Sequence, residues 1–584
     1  MRRILFYSSL ILFISLLLFT RFWQLGKLPP GIHIDEVSFG YEAQSLLETG
    51  RDTWNKPWPL YFKGFGEYKA PGVIYTYYLL LKTPFFHHIN TFITRLPAVI
   101  SGLIIILIFA ITLKLLFSSQ LNRWQILLLS FAFAFSPWAF DLSRVYYESY
   151  AGLFFFPLGI YLLFKAFKQQ SNRSWFLALV NFSLAGYYYA SYRFIASFIL
   201  FVAYWLYTDF KFKWKLAFFS LLTFSLVGFG WLIHLFDHQG LFRFQQFSGG
   251  STFGSSLIVN EKRQFCYLSL HHNYHLSKIC YLFWNKPIVI STLNLKTFLH
   301  SLYPDTLFSK LDSEYGSEGN YGAFLLPLLV FYFLAIIKMF SQKLDKYQWL
   351  ILAVILFGFL PSFITKETNI HRNLVGLYGI SLFLVYGFIY YQQLSQRLKP
   401  LLRYFLHSLF ILSLLFFAVQ FQLDYFLIAN KSTSQKYPYR QDISDIYSYL
   451  RNSQFKYDQV YDLRNNISPL YAAFYGLLSA QEIHQTGHFT PPNKGGWSFL
   501  YSAGKFTSTS KSLKQLICDY HKNDSKANIL LIVSPQPQYH QLALYQSKSF
   551  NQVHVLGELY SVQDLVNYHQ QIHTNWNQFC RKYE

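Results

Sequence analysis

Apolar residues run along the chain in eleven long stretches separated by short polar connectors: 4–23, 96–117, 124–140, 149–167, 174–191, 194–210, 215–236, 321–340, 347–364, 373–392 and 402–428. A helix needs about 20 apolar residues to cross the hydrocarbon core of a bilayer. The pattern therefore predicts an α-helical polytopic membrane protein of about eleven spans, 124–140 and 194–210 being the shortest. No small-residue cleavage site follows the first stretch, and Phe22 and Trp23 suit an interfacial anchor. It reads as a retained span rather than a cleaved signal.

The connectors fix an expected orientation. Arg2 and Arg3 put the N-terminus in the cytoplasm by the positive-inside rule. Alternation then makes five connectors cytoplasmic, and each is short and basic: Lys114 and Arg123; Lys165, Lys168 and Arg173; Lys211, Lys213 and Lys215; Lys338, Lys343 and Lys346; Arg397, Lys399 and Arg403. Three longer segments fall on the opposite, extracytoplasmic side: 24–95, 237–320 and 430–584. The last is long enough for a domain of its own. Helix-like stretches from Asp442 to Leu450 and from Pro469 to Leu478, with a strand-like run Ile529 to Val533 closed by Ser534-Pro535, predict a small α/β domain there. The expected division is a membrane domain over 1–429, with outer loops 24–95 and 237–320, and a soluble domain over 430–584.

Composition narrows the class. Of 584 residues, 53% are hydrophobic and 13% charged, about half the charged share of a soluble protein. A soluble multidomain enzyme and a disordered chain are both excluded. The net charge of +22 fits an anionic membrane face better than nucleic acid in so apolar a chain. Mean hydropathy of only +0.21 still requires a sizeable watery portion. The four cysteines, Cys266 and Cys280 in the second outer segment and Cys518 and Cys580 in the third, all fall on the extracytoplasmic side. That fits two disulfides, 266–280 and 518–580, although four cysteines allow three pairings.

The first outer loop carries the candidate chemistry. It reads Leu28-Pro29-Pro30-Gly31-Ile32-His33-Ile34-Asp35-Glu36, and a helix is expected from Glu36 to Thr49 with Gly50 as its C-terminal stop. Phe39, Ala43, Leu46 and Leu47 form one apolar face, so this helix is expected to lie flat in the interface with Asp35 at its N-terminal cap. A carboxylate partly desolvated at a membrane surface becomes a sharper base. Adjacent helical residues point about 100° apart, so of Asp35 and Glu36 one faces a given reacting atom, and Asp35 is the choice. Gly66-Glu67-Tyr68-Lys69-Ala70-Pro71-Gly72 follows, then Arg95-Leu96-Pro97 opening the second span. Lys69 and Arg95 are cations at headgroup level, able either to anchor or to clamp a phosphate.

An outer loop with Asp-Glu after the first span, a Lys-x-Pro segment and Arg-Leu-Pro entering the second resembles the GT-C glycosyltransferases. Within them it is similar to the protein O-mannosyltransferase and lipid A aminoarabinose transferase group (the glycosyltransferase family 39 type). The likeness continues through Ser136-Pro137-Trp138 and Ser143-Arg144 to Glu148, and more faintly at Tyr187 to Arg193 and at His371-Arg372. Where that group usually has Lys-Pro-Pro, this chain has Lys69-Ala70-Pro71, and Glu148 stands where related enzymes often carry Asp.

The resemblance implies a glycosyltransferase acting on the outer face. It would move a hexosyl or pentosyl unit from a polyprenyl phosphate to an acceptor hydroxyl on protein, lipid or glycan, by inverting displacement. It further implies catalytic roles among Asp35, Glu36 and Glu148, with Asp35 as base. Lys69, Arg95, Arg144, Arg193, His371 and Arg372 become candidates for the donor phosphate or sugar. No cofactor or metal is expected: His33 beside Asp35 and Glu36, and the group His271, His272 and His275, lack a ligand spacing with an adequate partner set. An oligosaccharyltransferase or O-antigen ligase is the nearest alternative. A lipid-linked glycan flippase would predict two similar halves and charges within spans, whereas the sequence shows no such symmetry and most of its ionisable residues lie at span ends.

Overall fold

The computed structural model describes residues 2–65, 68–236, 252–270, 274–310, 321–365, 368–428, 440–454, 456–464, 466–492, 497–522, 527–548, 555–572 and 580. Gly66, Glu67, His271 and His272 of the sequence reading lie outside this set, as does the side chain of His275.

All eleven apolar stretches contain helix. The helices used below are α1 (Arg2–Phe22), α2 (Ile34–Thr49), α3 (Gly72–Leu81), α4 (Thr91–Phe117), α5 (Arg123–Ala134), α6 (Pro137–Asp141), α7 (Glu148–Ala151), α8 (Phe155–Gln169), α9 (Asn172–Ala185), α10 (Ala190–Tyr207), α11 (Trp214–Val227) and α12 (Phe229–Phe236). Among the described residues, seven helical stretches are long and apolar enough to cross a membrane by length and composition. The remaining four apolar stretches are shortened or broken, for local reasons. At 124–140, Ser136-Pro137 ends α5 and starts α6, since proline lacks the N–H that would continue a helix. At 215–236, the chain breaks at Gly228, whose missing side chain leaves room for the Trp231 indole 2.7 Å from where a Cβ would lie. Pro327 sits in a short 3-10 turn, Leu326–Leu328, ahead of the helix Leu329–Phe340. At 174–191, α9 stops at Ala185 before Gly186.

The apolar helix Leu374–Ser395 forms the middle of the bundle and is buried on nearly every face. Glycine permits its close approach: a Cβ on Gly387 would lie 1.8 Å from the Phe331 carbonyl, and one on Gly358 would lie 2.2 Å from the Gly376 nitrogen. Small residues at such crossings let helix backbones touch where lipid offers no hydrophobic drive for association. By contrast α1 and the helix Pro400–Leu423 expose long apolar faces, Ile4, Ile11 and Phe19 on one and Leu401, Leu412 and Phe416 on the other.

Beyond the bundle the C-terminal part forms a seven-stranded sheet of order β4-β5-β6-β3-β7-β9-β8. Its strands are β3 (Gln459–Asp462), β4 (His488–Phe489), β5 (Leu500–Ala503), β6 (Phe506–Ser508), β7 (Ile529–Val533), β8 (Tyr545–Lys548) and β9 (Val555–Ser561). β3 runs parallel to both β6 and β7, and the other pairings are antiparallel. β7 occupies the expected residues, and its period-2 alternation serves two cores. Leu530 and Ile532 face the first loop, while Leu531 and Val533 face the helices Leu513–Lys522 and Val562–Ile572. Both expected disulfides are present, Cys266–Cys280 and Cys518–Cys580.

The helix of the first loop departs from expectation in its surroundings. α2 ends at Gly50 as predicted, with φ +69° and its N–H on the Leu46 carbonyl at 2.9 Å. It does not lie flat with a wet polar face, because Glu36 to Leu46 is buried all round. α3 and the start of α4 cover one side, and the C-terminal unit covers the other: a Cβ on Gly40 would lie 2.9 Å from the Phe474 ring, and Glu48 accepts from the Ala480 N–H at 2.9 Å. Apolar residues of the first loop and of the C-terminal sheet thus form one continuous core.

Candidate functional site

The N-terminus of α2 orients the acidic pair. His33, not Asp35, caps the helix. Its Nδ1 accepts from the Asp35 N–H at 3.0 Å, and its own N–H donates to Glu36 Oε2 at 2.9 Å. Because Nδ1 accepts that bond it carries no proton there, so its 3.6 Å approach to the Asp35 carboxylate is not an ion pair. With the cap supplied by another residue, Asp35 turns its carboxylate to Lys69, and the two form an ion pair. The Lys69 side chain is 5% exposed and that of Asp35 35%. One end of the pair is sealed and the other opens to the surroundings.

Lys69 lies on β2 (Tyr68–Lys69), which pairs antiparallel with β1 (Phe62–Lys63). Its ammonium sits 4.3 Å from the centre of the Phe39 ring and 5.4 Å from that of Phe65. Aromatic faces attract a cation through their quadrupole and keep it charged in a dry setting.

Glu36 faces the opposite way, as the helical offset requires, into a closed ion pair. Arg95 Nε donates to its Oε1 at 2.9 Å, and neither side chain has any exposure. Arg95 also donates from Nη2 to Glu36 Oε2 at 3.5 Å and from its two terminal nitrogens to the carbonyls of Leu25, Pro29 and Gly31 at 2.9–3.0 Å. This corrects two expectations. Glu36 is not placed to act on a substrate, and Arg95 is not placed to hold a phosphate; together they bind the loop's first turn to α4. Arg144 is corrected likewise. It is fully buried and donates to the carbonyls of Thr20, Arg21 and Trp23 at 2.6–2.8 Å, closing the C-terminus of α1. Cations there meet the unsatisfied carbonyls and the negative end of the helix dipole.

Glu148 begins α7 and comes near the Asp35 side of the molecule through a tyrosine. Tyr146 donates to Glu148 Oε2 at 3.2 Å and packs its ring 5.1 Å from Phe39, the same ring that supports Lys69. Burial first, then the Glu148 charge, raises the Tyr146 hydroxyl well above its usual range. The next residue, Tyr147, stacks on His371 at 4.9 Å and 7°. His371 therefore reaches the same aromatic group, and Arg372 follows it in the short turn Ile370–Arg372. Arg193 lies at the open end of the Lys69 hairpin. It donates to Gly186 O at 3.0 Å and to Tyr61 Oη at 3.1 Å, beside the foot of β1.

One feature escaped the sequence reading. Glu42 and Asp52 are buried beneath the Lys69 hairpin. Burial, with the Asp52 charge adding to it, pushes the Glu42 carboxyl up to about 8. The sequence shows an acid in the middle of this helix, but its burial depends on the loop residue Thr53 and on the elements that later pack around α2. Among the described residues no group of three or more His, Cys, Asp or Glu side chains is arranged to hold a metal ion.

No protein-family model and no curated protein sequence matches the chain. In backbone it is similar to ArnT from Cupriavidus metallidurans bound to undecaprenyl phosphate, at 11% identity and a TM-score of 0.49 over 95% of this chain and 98% of that one. The apo state of the same protein gives 11% identity and a TM-score of 0.40, over 96% and 99%. The archaeal oligosaccharyltransferase AglB from Archaeoglobus fulgidus, in complex with an inhibitory peptide and a dolichol-phosphate, gives 12% identity and a TM-score of 0.44, over 77% of this chain and 62% of that one.

Proposed function

We propose that this chain is an integral-membrane glycosyltransferase that moves a sugar from a polyprenyl-phosphate donor to an acceptor hydroxyl, with inversion. The observation that carries the reading is the Asp35–Lys69 pair: a partly exposed carboxylate and a buried ammonium, on a loop joining two apolar helices. That pairing supplies both needs of the reaction at one point. The acceptor O–H gives its proton to Asp35 as its oxygen bonds to the anomeric carbon. The bond from that carbon to the phosphate oxygen breaks, and the polyprenyl phosphate leaves with the electron pair. Lys69 neutralises the charge growing on the departing phosphate, where a preorganised cation in a dry site acts most strongly.

The pair also gives an order of events. While Lys69 holds Asp35, the carboxylate is a weak base. An incoming phosphate competes for the ammonium and releases Asp35 for its task, so proton removal waits for the donor. Glu148, near Tyr146, then serves to position the acceptor, and His371 and Arg372 are proposed as further donor ligands. The basic connectors argue for a plasma-membrane location with this loop extracytoplasmic and the N-terminus cytoplasmic. A hexose or pentose on a monophosphate carrier is the proposed donor, and protein, lipid or glycan hydroxyls are the proposed acceptors.

The test is Asp35→Asn in purified, nanodisc-embedded protein supplied with polyprenyl-phosphate sugar. Transfer is expected to stop while donor binding persists. Retained turnover removes Asp35 as the base, and turnover only with a diphosphate-linked oligosaccharide favours the oligosaccharyl alternative.

A further inference from the structure

Lys69 sits on a hairpin that cannot hold itself. β1 and β2 have two residues each, and even a full two-stranded hairpin is marginal in water. Its position must come from what it rests against, and much of that support belongs to the C-terminal sheet.

The β4–β5 edge of that sheet grips the hairpin at two places. Near its tip, the Ser498 N–H donates to the Phe65 carbonyl at 2.5 Å, and the Phe499 ring stacks on Phe65 at 5.6 Å and 28°. A second contact goes through Trp54 to the pair beside the turn, Lys63 with Tyr68: Phe489 stacks on Trp54 at 3.9 Å and 21°. The Trp54 indole N–H donates to the Lys63 carbonyl at 2.9 Å, with the Lys63 ammonium 3.6 Å above the ring. The gripping residues are themselves hydrogen-bonded to one another. Thr490 and Phe499 continue the β4–β5 pairing, since the Thr490 N–H donates to the Phe499 carbonyl at 2.8 Å and the Phe499 N–H to the Thr490 hydroxyl at 2.9 Å. Ser498 Oγ donates to the Thr490 carbonyl at 2.6 Å. Phe65, held this way, is one of the two rings against the Lys69 ammonium.

We propose that Phe499 is a positioning residue for Lys69: the C-terminal unit, through Phe499 and the Ser498 backbone, sets where the phosphate-binding ammonium stands. This rests on the reading of Lys69 as the ligand of the donor phosphate. It makes the C-terminal unit part of the donor site, and a change at the β4–β5 edge reaches Lys69 through a single ring.

The experiment compares wild type with Phe499→Ala, Phe499→Leu and Phe499→Tyr, all full-length in nanodiscs. Amine labelling at Lys69 is read by mass spectrometry, with and without undecaprenyl phosphate, alongside KM and kcat for the polyprenyl-phosphate sugar. Phe499→Ala should raise Lys69 labelling and KM about tenfold, in keeping with the loss of one aromatic contact. It should also weaken protection by undecaprenyl phosphate. Phe499→Tyr keeps the ring and should restore all three. Phe499→Leu, which fills most of the volume, provides the folded comparison if the alanine variant unfolds, and should give the intermediate result. Wild-type labelling and KM in the leucine and alanine variants overturn the proposal. Labelling needs no turnover. A changed Lys69 reactivity in a protein without transferase activity would therefore sink the enzymatic reading and leave the positioning intact.

Discussion

Asp35 and Lys69, separated by 34 positions, meet as an ion pair whose ammonium is buried and whose carboxylate is partly open. Neither side chain could be given this partner from the sequence. Asp35 is released for it because His33 takes over the helix cap, and Lys69 is brought to it by a hairpin lying against Phe39.

Separate removal of the two groups should give different kinetics. Asp35→Asn is expected to lower kcat by roughly 10²–10⁴-fold, the range for loss of a general base, with donor binding kept. Lys69→Ala should lower kcat by about 10²–10³-fold and also weaken binding of undecaprenyl phosphate, since its cation acts on the phosphate. Turnover assays and lipid-binding titrations on both variants check this. Equal and purely thermal defects in the two would return the pair to a structural role.

The Glu36–Arg95 pair is expected to behave as structure. Removing one partner of a buried ion pair leaves an uncompensated charge and costs about 3–5 kcal/mol. Glu36→Ala or Arg95→Ala should lower the melting temperature in detergent far more than Asp35→Asn. A Glu36→Ala variant with wild-type stability and no activity would restore Glu36 to the chemistry.

Stability should depend on pH through Glu42. Its folded-state carboxyl stands at about 8 against an ordinary 4.5. Between those values the folded chain keeps a proton that the unfolded chain gives up, so stability falls as pH rises across this window and levels off above about 8. Glu42→Gln can still meet the Thr53 N–H and hydroxyl, which lie 2.9 and 2.6 Å from the two carboxylate oxygens. It should flatten the pH profile and stabilise the protein at pH values above the window, as read by melting curves. An unchanged slope in Glu42→Gln counts against the buried neutral carboxyl.

Gly152, which ends α7 next to Glu148, should tolerate no side chain. A Cβ there would lie 2.2 Å from the Cβ of Tyr188, an atom that no rotamer change can move away. Gly152→Ala is expected to cost about 1–3 kcal/mol by overpacking, and Tyr188→Gly in the same chain, which removes the clashing Cβ, should recover part of it. Melting temperatures of the two single variants and the double variant check the coupling.

Much of the architecture was legible because it follows from local rules. Apolar stretches became helices, Gly50 ended α2 and Ile529 to Val533 formed a buried strand. The cysteines paired as their placement suggested. Two stretches expected as unbroken spans, 124–140 and 215–236, instead break at Pro137 and Gly228. The roles of the cations were not legible. Lys69, Arg95 and Arg144 look alike in sequence, each a basic residue near a helix end. Arg95 and Arg144 are sealed among backbone carbonyls, while Lys69 alone of the three faces Asp35.

The sequence by itself determined the class of molecule, the helical bundle, the α/β character of the C-terminal part and the presence of an Asp-Glu pair in the first loop. These depend on hydrophobic periodicity and residue chemistry, which act over a few turns of chain. Only the tertiary structure decided that Asp35 pairs with Lys69, that Glu36 is closed off by Arg95, and that the C-terminal sheet covers α2 and grips the Lys69 hairpin. Those outcomes are set by which distant surfaces exclude water together, and burial of this kind, unlike periodicity, leaves no mark on neighbouring residues.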